Sequence, residues 1–247
     1  MTMELRGKTV LVTGGAIRVG AAICDALVDH GCNVVIHYRS SAREADRLAE
    51  RLMQRGVRAH TIQANLATER DCFELMDRSF SRAGCIDGLV NNAAVFHRGA
   101  IETCDADMLT AEFATNLVVP VLLTREYAAR AKTGRVVNLL DQRIAVPSGE
   151  CLAYQLSKQA LAEFTRSAAV ALAPGIAVNG VAPGPVLPPE PGDEHTAHEP
   201  AGRFLLSHRP TPRDVAEAVV FLLAADGITG QIIFVDSGQH LAGGSRR

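Results

Sequence analysis

Seven short β-branched runs alternate with helix-length stretches along the 247 residues, and this alternation narrows the possible folds more than any other feature of the chain. The runs are TVLVT from Thr9, NVVIHY from Asn33, RAHTIQA from Arg58, IDGLVNN from Ile86, RVVNLL from Arg135, IAVNGVAPG from Ile176 and QIIFVD from Gln231. Apolar residues at helical spacing between them predict helices over 17–30, 43–54, 69–82, 108–131, 154–173 and 213–224. Strands joined through helices run parallel, and a near-continuous apolar strand such as RVVNLL suits a sheet covered on both faces. The expectation is a single α/β domain over 1–247, a Rossmann-type doubly wound parallel sheet of about seven strands with helices on both faces. A hydrophobic content of 47% is enough for one sizeable core.

Charge and cysteine usage exclude several function classes. A formal net charge of −2 leaves no basic face for nucleic acid and no polybasic membrane signal. The passage from Met1 through Gly7 into the run at Thr9 to Val12 leaves no room for a cleaved leader, and no uninterrupted apolar stretch is long enough to span a bilayer. Cys24, Cys32, Cys72, Cys85, Cys104 and Cys151 show neither a C-x-x-C pair nor a histidine spacing suited to zinc. They read as reduced thiols, with Cys151 as small buried filler, and no metal is expected. A soluble cytoplasmic protein whose partners are small molecules and copies of itself is the expectation.

One segment breaks the pattern. Proline, glycine, acids and histidines crowd GPVLPPEPGDEHTAHEPAGR from Gly184 to Arg203, beyond the carboxyl end of a strand, where open α/β sheets bind ligands. It is read as a substrate lid over 184–206. His195 and His198 within it are given no role.

The first strand runs into Thr13-Gly14-Gly15-Ala16-Ile17-Arg18-Val19-Gly20. Glycine at a strand–helix turn lets backbone N–H groups approach a phosphate, and the helix N-terminus favours negative charge there. That predicts a dinucleotide pyrophosphate site. NAD sites usually carry an acid at the end of the second strand to hold the ribose hydroxyls. Here the chain has His37-Tyr38-Arg39-Ser40-Ser41 instead. An arginine beside hydroxyls suits a 2′-phosphate, so NADPH is the expected cofactor.

Tyr154 and Lys158 stand four residues apart, one turn along one helix face. A cation close to the phenol would favour its charged form and make it a useful proton donor and acceptor near neutrality.

With TGGAIRVG near the start, NNAA at Asn91 to Ala94, Asn116, Tyr154-Gln155-Leu156-Ser157-Lys158 and the Val178-Asn179 to Pro183-Gly184 segment, the whole chain resembles the short-chain dehydrogenase/reductase family. The resemblance implies that Tyr154 delivers the proton, that Lys158 grips the ribose hydroxyls, and that Asn116 holds the water linking Lys158 to solvent. It implies further cofactor contacts at Val19, Asn65, Leu66, Ala93, Pro183 and Gly184, with Asn91 supporting the nicotinamide side. Self-association, typically as a homotetramer through the helices bearing Asn116 and Tyr154, is implied as well.

Four positions depart from the family pattern. Arg18 replaces the middle glycine of the turn, Asp141 replaces the serine before the Tyr-Lys pair, Asn65 stands for an aspartate at the adenine, and Asp236-Ser237-Gly238 stands for a double glycine. The first two resemble pteridine reductases and the bacterial dihydromonapterin reductases. In that subfamily a phenylalanine stacks on the pterin ring, the place Phe96 takes here, and Arg18 would reach both cofactor phosphate and pterin.

Aspartate at 141 fits this chemistry on electrostatic grounds. Ketone reduction develops negative charge on oxygen, which an ionised carboxylate opposes, whereas reduction of a C=N bond passes through a cationic iminium-like state that a carboxylate favours. The sequence therefore points to NADPH-dependent reduction of a pterin C=N bond, with Asp141, Tyr154, Lys158 and Asn116 as catalytic residues and Arg18, Phe96, Asp141 and Tyr154 facing the substrate. A carbonyl or 3-oxoacyl thioester reductase of the same fold, or a catalytically idle NADPH-binding protein, are the alternatives.

Overall fold

A computed structural model describes residues 4–147, 149–187 and 204–242. Seven strands form one parallel sheet: β1 (Thr9–Val12), β2 (Asn33–Tyr38), β3 (Ala59–Gln63), β4 (Gly88–Asn91), β5 (Gly134–Leu139), β6 (Ile176–Pro183) and β7 (Ile232–Val235). Their spatial order is β3-β2-β1-β4-β5-β6-β7, so the chain starts in the middle, winds to one edge, returns and winds to the other. The reversal between β1 and β4 opens the crevice in which doubly wound sheets bind dinucleotides.

The helices are α1 (Arg18–Asp29), α2 (Ala42–Met53), α3 (Glu69–Ala83), α4 (Ala106–Phe113), α5 (Val119–Arg130), α6 (Leu152–Leu172) and α7 (Pro212–Ala224). Local chemistry sets their starts. Thr68 with Asp71 and Thr211 with Asp214 close reciprocal capping boxes on α3 and α7, Pro212 occupies the first turn of α7, and Asp105 accepts from the Met108 amide at the head of α4. Two apolar layers follow from the two covered faces. Ile23, Leu27, Leu48, Leu52, Val219 and Leu222 lie in one, and Leu75, Met76, Leu123, Tyr127 and Ala168 lie in the other.

Each expected strand is present: β2 coincides with its run, β5 is shifted one residue towards the N-terminus, and the other five are shorter by a residue or two at one or both ends. The helix expected over 108–131 differs more. It begins at Ala106, and a π-helical turn at Ala114–Val118 separates α4 from α5. A π turn inserts a residue into the helix, and Asn116 sits in this one. The continuous rod from Ala106 to Arg130 is, by length and composition alone, long and apolar enough to cross a membrane, though Asp107, Glu112, Arg125 and Glu126 interrupt its apolar run. It packs on α3 and α6 and carries the buried polar residues Glu112, Asn116 and Glu126. Most of the proposed lid, residues 188–203, and the tail from residue 243 lie outside the described residues.

Candidate active site

The cleft at the β1/β4 reversal has a volume of about 370 Å³ and is lined by the glycine turn, the end of β2, Asn65 and Leu66 after β3, and the stretch from Asn92 to Val95 after β4. Two glycines are needed in the turn for different reasons. Gly14 has φ +60°, and a Cβ on Gly20 would lie 2.1 Å from the Gly14 carbonyl oxygen. Only bare backbone lets the head of α1 approach this closely. Arg18, where the family pattern has glycine, also takes a left-handed φ of 53°. An L-residue there costs roughly 1–2 kcal/mol, and Arg18 lines the cleft.

A buried brace holds the turn. Gly14 N–H donates to His37 Nδ1 at 3.2 Å and the ring's other nitrogen meets the Ala64 carbonyl at 3.2 Å, so His37 is the tautomer with its proton on Nε2. Burial pulls its pKa down to about 4. On the other side Thr13 Oγ1 accepts from the amides of Asn92 and Ala93, while Asn92 Nδ2 donates to the carbonyls of Thr13 and Gly14. Tyr38, Arg39, Ser40 and Ser41 line the far end of the cleft with no carboxylate among them.

The chemistry-bearing residues converge where β4 and β5 end and α6 begins. Asp141, just past β5, heads a short 3₁₀ turn (Gln142–Ile144) and accepts from the Arg143 amide at 2.8 Å. Its Oδ2 accepts from Tyr154 Oη at 3.1 Å and lies 3.2 Å from Arg143 Nη1. The sequence spacing thus becomes direct contact.

Lys158 is buried and donates to the Leu139 carbonyl at 2.7 Å, with its Nζ 5.7 Å from the centre of the Tyr154 ring. Burial draws its pKa down to about 8 against the pull of Asp141 and Glu112. The Tyr154 phenol moves the other way from the expected shift. Burial, then the Asp141 charge and the hydrogen bond to it, raise its pKa well above the ordinary tyrosine value. Tyr154 is a neutral acid held on a carboxylate, because four-residue spacing sets direction but says nothing of solvent exclusion.

Phe96 stands edge-on to Tyr154, ring centres 4.8 Å apart at 83°, and is 42% exposed. The guanidinium carbons of Arg143 and Arg98 lie 5.7 and 5.9 Å from its ring centre. Asn116 grips Val95 from both sides, accepting from its amide and donating to its carbonyl, each at 3.0 Å, and reaches Ser157 Oγ at 3.1 Å.

Other expected site residues sit at a distance from this group. Asn91 is buried and its carboxamide donates to Asn138 and Thr124, a cross-brace between β4, β5 and α5, with Asn92 and Ala93 the neighbours that line the cleft. Pro183 ends β6, and Gly184 N–H donates to the Val235 carbonyl. Sequence reasoning missed Thr13, Asn92, Arg143, His97 and Glu112. The spacing of Glu112 and Asn116, one helical turn apart, was the available signal.

A parallel sheet with its glycine turn at the switch point, and a tyrosine–lysine pair at the strand ends beside it, defines a dinucleotide-dependent oxidoreductase. The chain belongs to the short-chain dehydrogenase/reductase family: residues 15–240 match the family model described as enoyl-(acyl carrier protein) reductase. It is 31% identical over 242 residues to the uncharacterized oxidoreductase YjdA of Bacillus subtilis (strain 168), covering 94% of this chain and 96% of that one. It is 31% identical over 290 residues to pteridine reductase 1 of Leishmania tarentolae, covering 98% and 99%. Among solved structures, FolM alternative dihydrofolate reductase 1 from Brucella canis, complexed with NADP, superposes with a TM-score of 0.89 at 36% identity over 96% of both chains.

Proposed function

We propose that this protein reduces the C=N bond of a pterin, of dihydropteridine, dihydromonapterin or dihydrofolate type, to the tetrahydro form. The carrying observation is the 3.1 Å bond from Tyr154 Oη to Asp141 Oδ2, with Phe96 set edge-on against the same phenol. The likeness to a pteridine reductase and to an alternative dihydrofolate reductase supports it.

The cofactor is NADPH, and the residues present fit it. Gly14 and Gly20 leave room for backbone contact with a pyrophosphate, and Arg39 with Ser40 and Ser41 suits a 2′-phosphate that a carboxylate would repel. When bound, NADPH supplies the hydride. The protein's own residues do the rest. Tyr154 holds the proton destined for the ring nitrogen, Asp141 aims the phenol, and the Asp141 charge favours a cationic ring nitrogen over an oxyanion. Lys158 holds the ribose side and sustains the proton supply, with Asn116 behind it. The exposed face of Phe96 offers a flat heterocycle a stacking surface.

Turnover of NADPH with dihydrobiopterin, dihydromonapterin and dihydrofolate, set beside an acetoacetyl thioester, tests this. Consumption with a pterin alone is expected; consumption with the thioester alone would make the protein a ketone reductase. Self-association belongs to the same reading. Val118, Leu156 and Val170 are exposed apolar residues on the helical segments that carry Asn116 and Tyr154, on the faces turned away from those two buried side chains, and sedimentation should give a tetramer.

A further inference from the structure

The proton machinery includes a buried acid with no role in the chemistry described above. Glu112, on α4, is 0% exposed. One carboxylate oxygen accepts from Asn116 Nδ2 at 2.5 Å. The other accepts from the His97 amide at 2.6 Å and lies 2.9 Å from His97 Nδ1. The His97 side chain is half-exposed, so an unbroken set of contacts runs from the water boundary through Glu112 to Asn116. Asn116 in turn touches Ser157 Oγ, on the helix that carries Tyr154 and Lys158.

A fully buried carboxylate is costly unless it is paired or hydrogen-bonded, and evolution has cheaper ways to fix one asparagine. Val95 already takes both ends of the Asn116 carboxamide. What the carboxylate adds is charge in a region screened from solvent, where Coulomb interactions reach further than in water. Tyr154 packs beside Lys158 on the same helix, and Asn116 carries the Glu112 contact to Ser157, the residue next to Lys158; the charges of Asp141, from the loop after β5, and of Glu112, from α4, both act to keep the ammonium charged. His97, from the segment after β4, faces Glu112 from the solvent side.

We propose that Glu112 is a positioning residue of the active site, locking Asn116 in place and supplying a second buried negative charge that keeps Lys158 an ammonium, with His97 closing it off from water. The role is the same whether the substrate offers C=N or C=O, so it does not depend on the pterin reading.

The chain has three lysines, Lys8, Lys132 and Lys158, so ¹³C-lysine NMR resolves each titration and a Lys158→Met sample assigns the third signal. This readout needs neither substrate nor turnover, so its failure and that of the pterin assignment are separable. In Glu112→Gln, which removes the charge and keeps the shape, the Lys158 midpoint should fall by about half a pH unit or more. Glu112→Asp should restore most of it. Where turnover is measured, the alkaline limb of kcat should move with the NMR midpoint while KM stays put. If Glu112→Gln does not fold, Glu112→Met, which asks for no hydrogen bond, takes its place with the same expectation. A folded variant whose Lys158 titrates as in the wild type would overturn the proposal and leave Glu112 a purely structural residue. Failure of both variants to fold would overturn it too, since a positioning role requires that the fold survive loss of the charge.

Discussion

Tyr154 donates its phenol proton to Asp141 Oδ2 across 3.1 Å, and this contact separates the site from one built around serine. A serine hydroxyl can donate to a developing oxyanion, whereas Asp141 only accepts and brings full negative charge. The contact favours the protonated phenol, and under the proposed pterin chemistry the Asp141 charge sets the sign of the charge the site welcomes.

Asp141→Ser is the direct check. Serine still caps the 3₁₀ turn that Asp141 now heads through the Arg143 amide, so folding should survive with little change in Tm. Loss of the charge should lower kcat with dihydropterins by about 10²-fold, within the usual range for a proton-transfer partner. Turnover of small ketones should rise at the same time. Undiminished pterin turnover in the variant would remove Asp141 from the chemistry.

Lys158 gives a pH signature. Its pKa is about 8 in the folded protein against an ordinary 10.5. Below pH 8 the lysine is charged in both states and the whole cost of burying the ammonium is present. Between 8 and 10.5 the unfolded chain holds a proton that the folded one has released, so the cost fades and stability from this group rises with pH. Lys158→Met should therefore be inactive yet more stable at pH 7, by an amount limited to about 1–2 kcal/mol because the Leu139 carbonyl loses its donor. Urea midpoints at pH 7 and pH 10 should show the variant's advantage shrinking.

Much of this is legible in the sequence, and the residues that are not share a cause. Strand–helix alternation and the glycine turn are local patterns, so the sheet and the cleft followed from sequence. Tyr154 and Lys158 could be placed on one helix face because 3.6-residue periodicity is geometry. Burial is not local. Nothing in the spacing told that Lys158 would turn to the Leu139 carbonyl, or that exclusion of water would raise the Tyr154 pKa rather than lower it. Glu112 went unread for the same reason, since a glutamate on a helix is ordinarily solvated. The Thr13–Asn92 brace joins residues 79 apart through backbone groups that sequence does not display.

His37 should make the protein acid-labile in a particular window. Its folded pKa of about 4 lies below the ordinary 6.5, so between those values the unfolded chain takes up a proton that the folded one refuses. Stability should fall as pH drops from 6.5 towards 4, by on the order of 3 kcal/mol from this group alone. In His37→Gln that slope should flatten, because the side chain no longer titrates. Melting curves between pH 4 and 7 decide it; equal slopes would mean that the histidine is protonated or solvated in the native state.

Arg18 sits at φ 53°, where an L-residue is strained and glycine is not, and two substitutions separate its backbone from its side chain. Arg18→Gly removes the strain and the guanidinium together; Arg18→Ala removes only the guanidinium. If the guanidinium holds cofactor and substrate, both variants should raise KM for NADPH by about tenfold, the scale of one charge-assisted contact. The Gly variant should nevertheless be more stable than the Ala variant by about 1 kcal/mol, since only glycine relaxes at positive φ. Equal stability would mean that the turn adopts an ordinary backbone in solution. Unchanged KM in both would mean that the strain serves some end other than binding. Strain retained together with affinity lost in the Ala variant is the combination that ties this backbone outlier to ligand recognition.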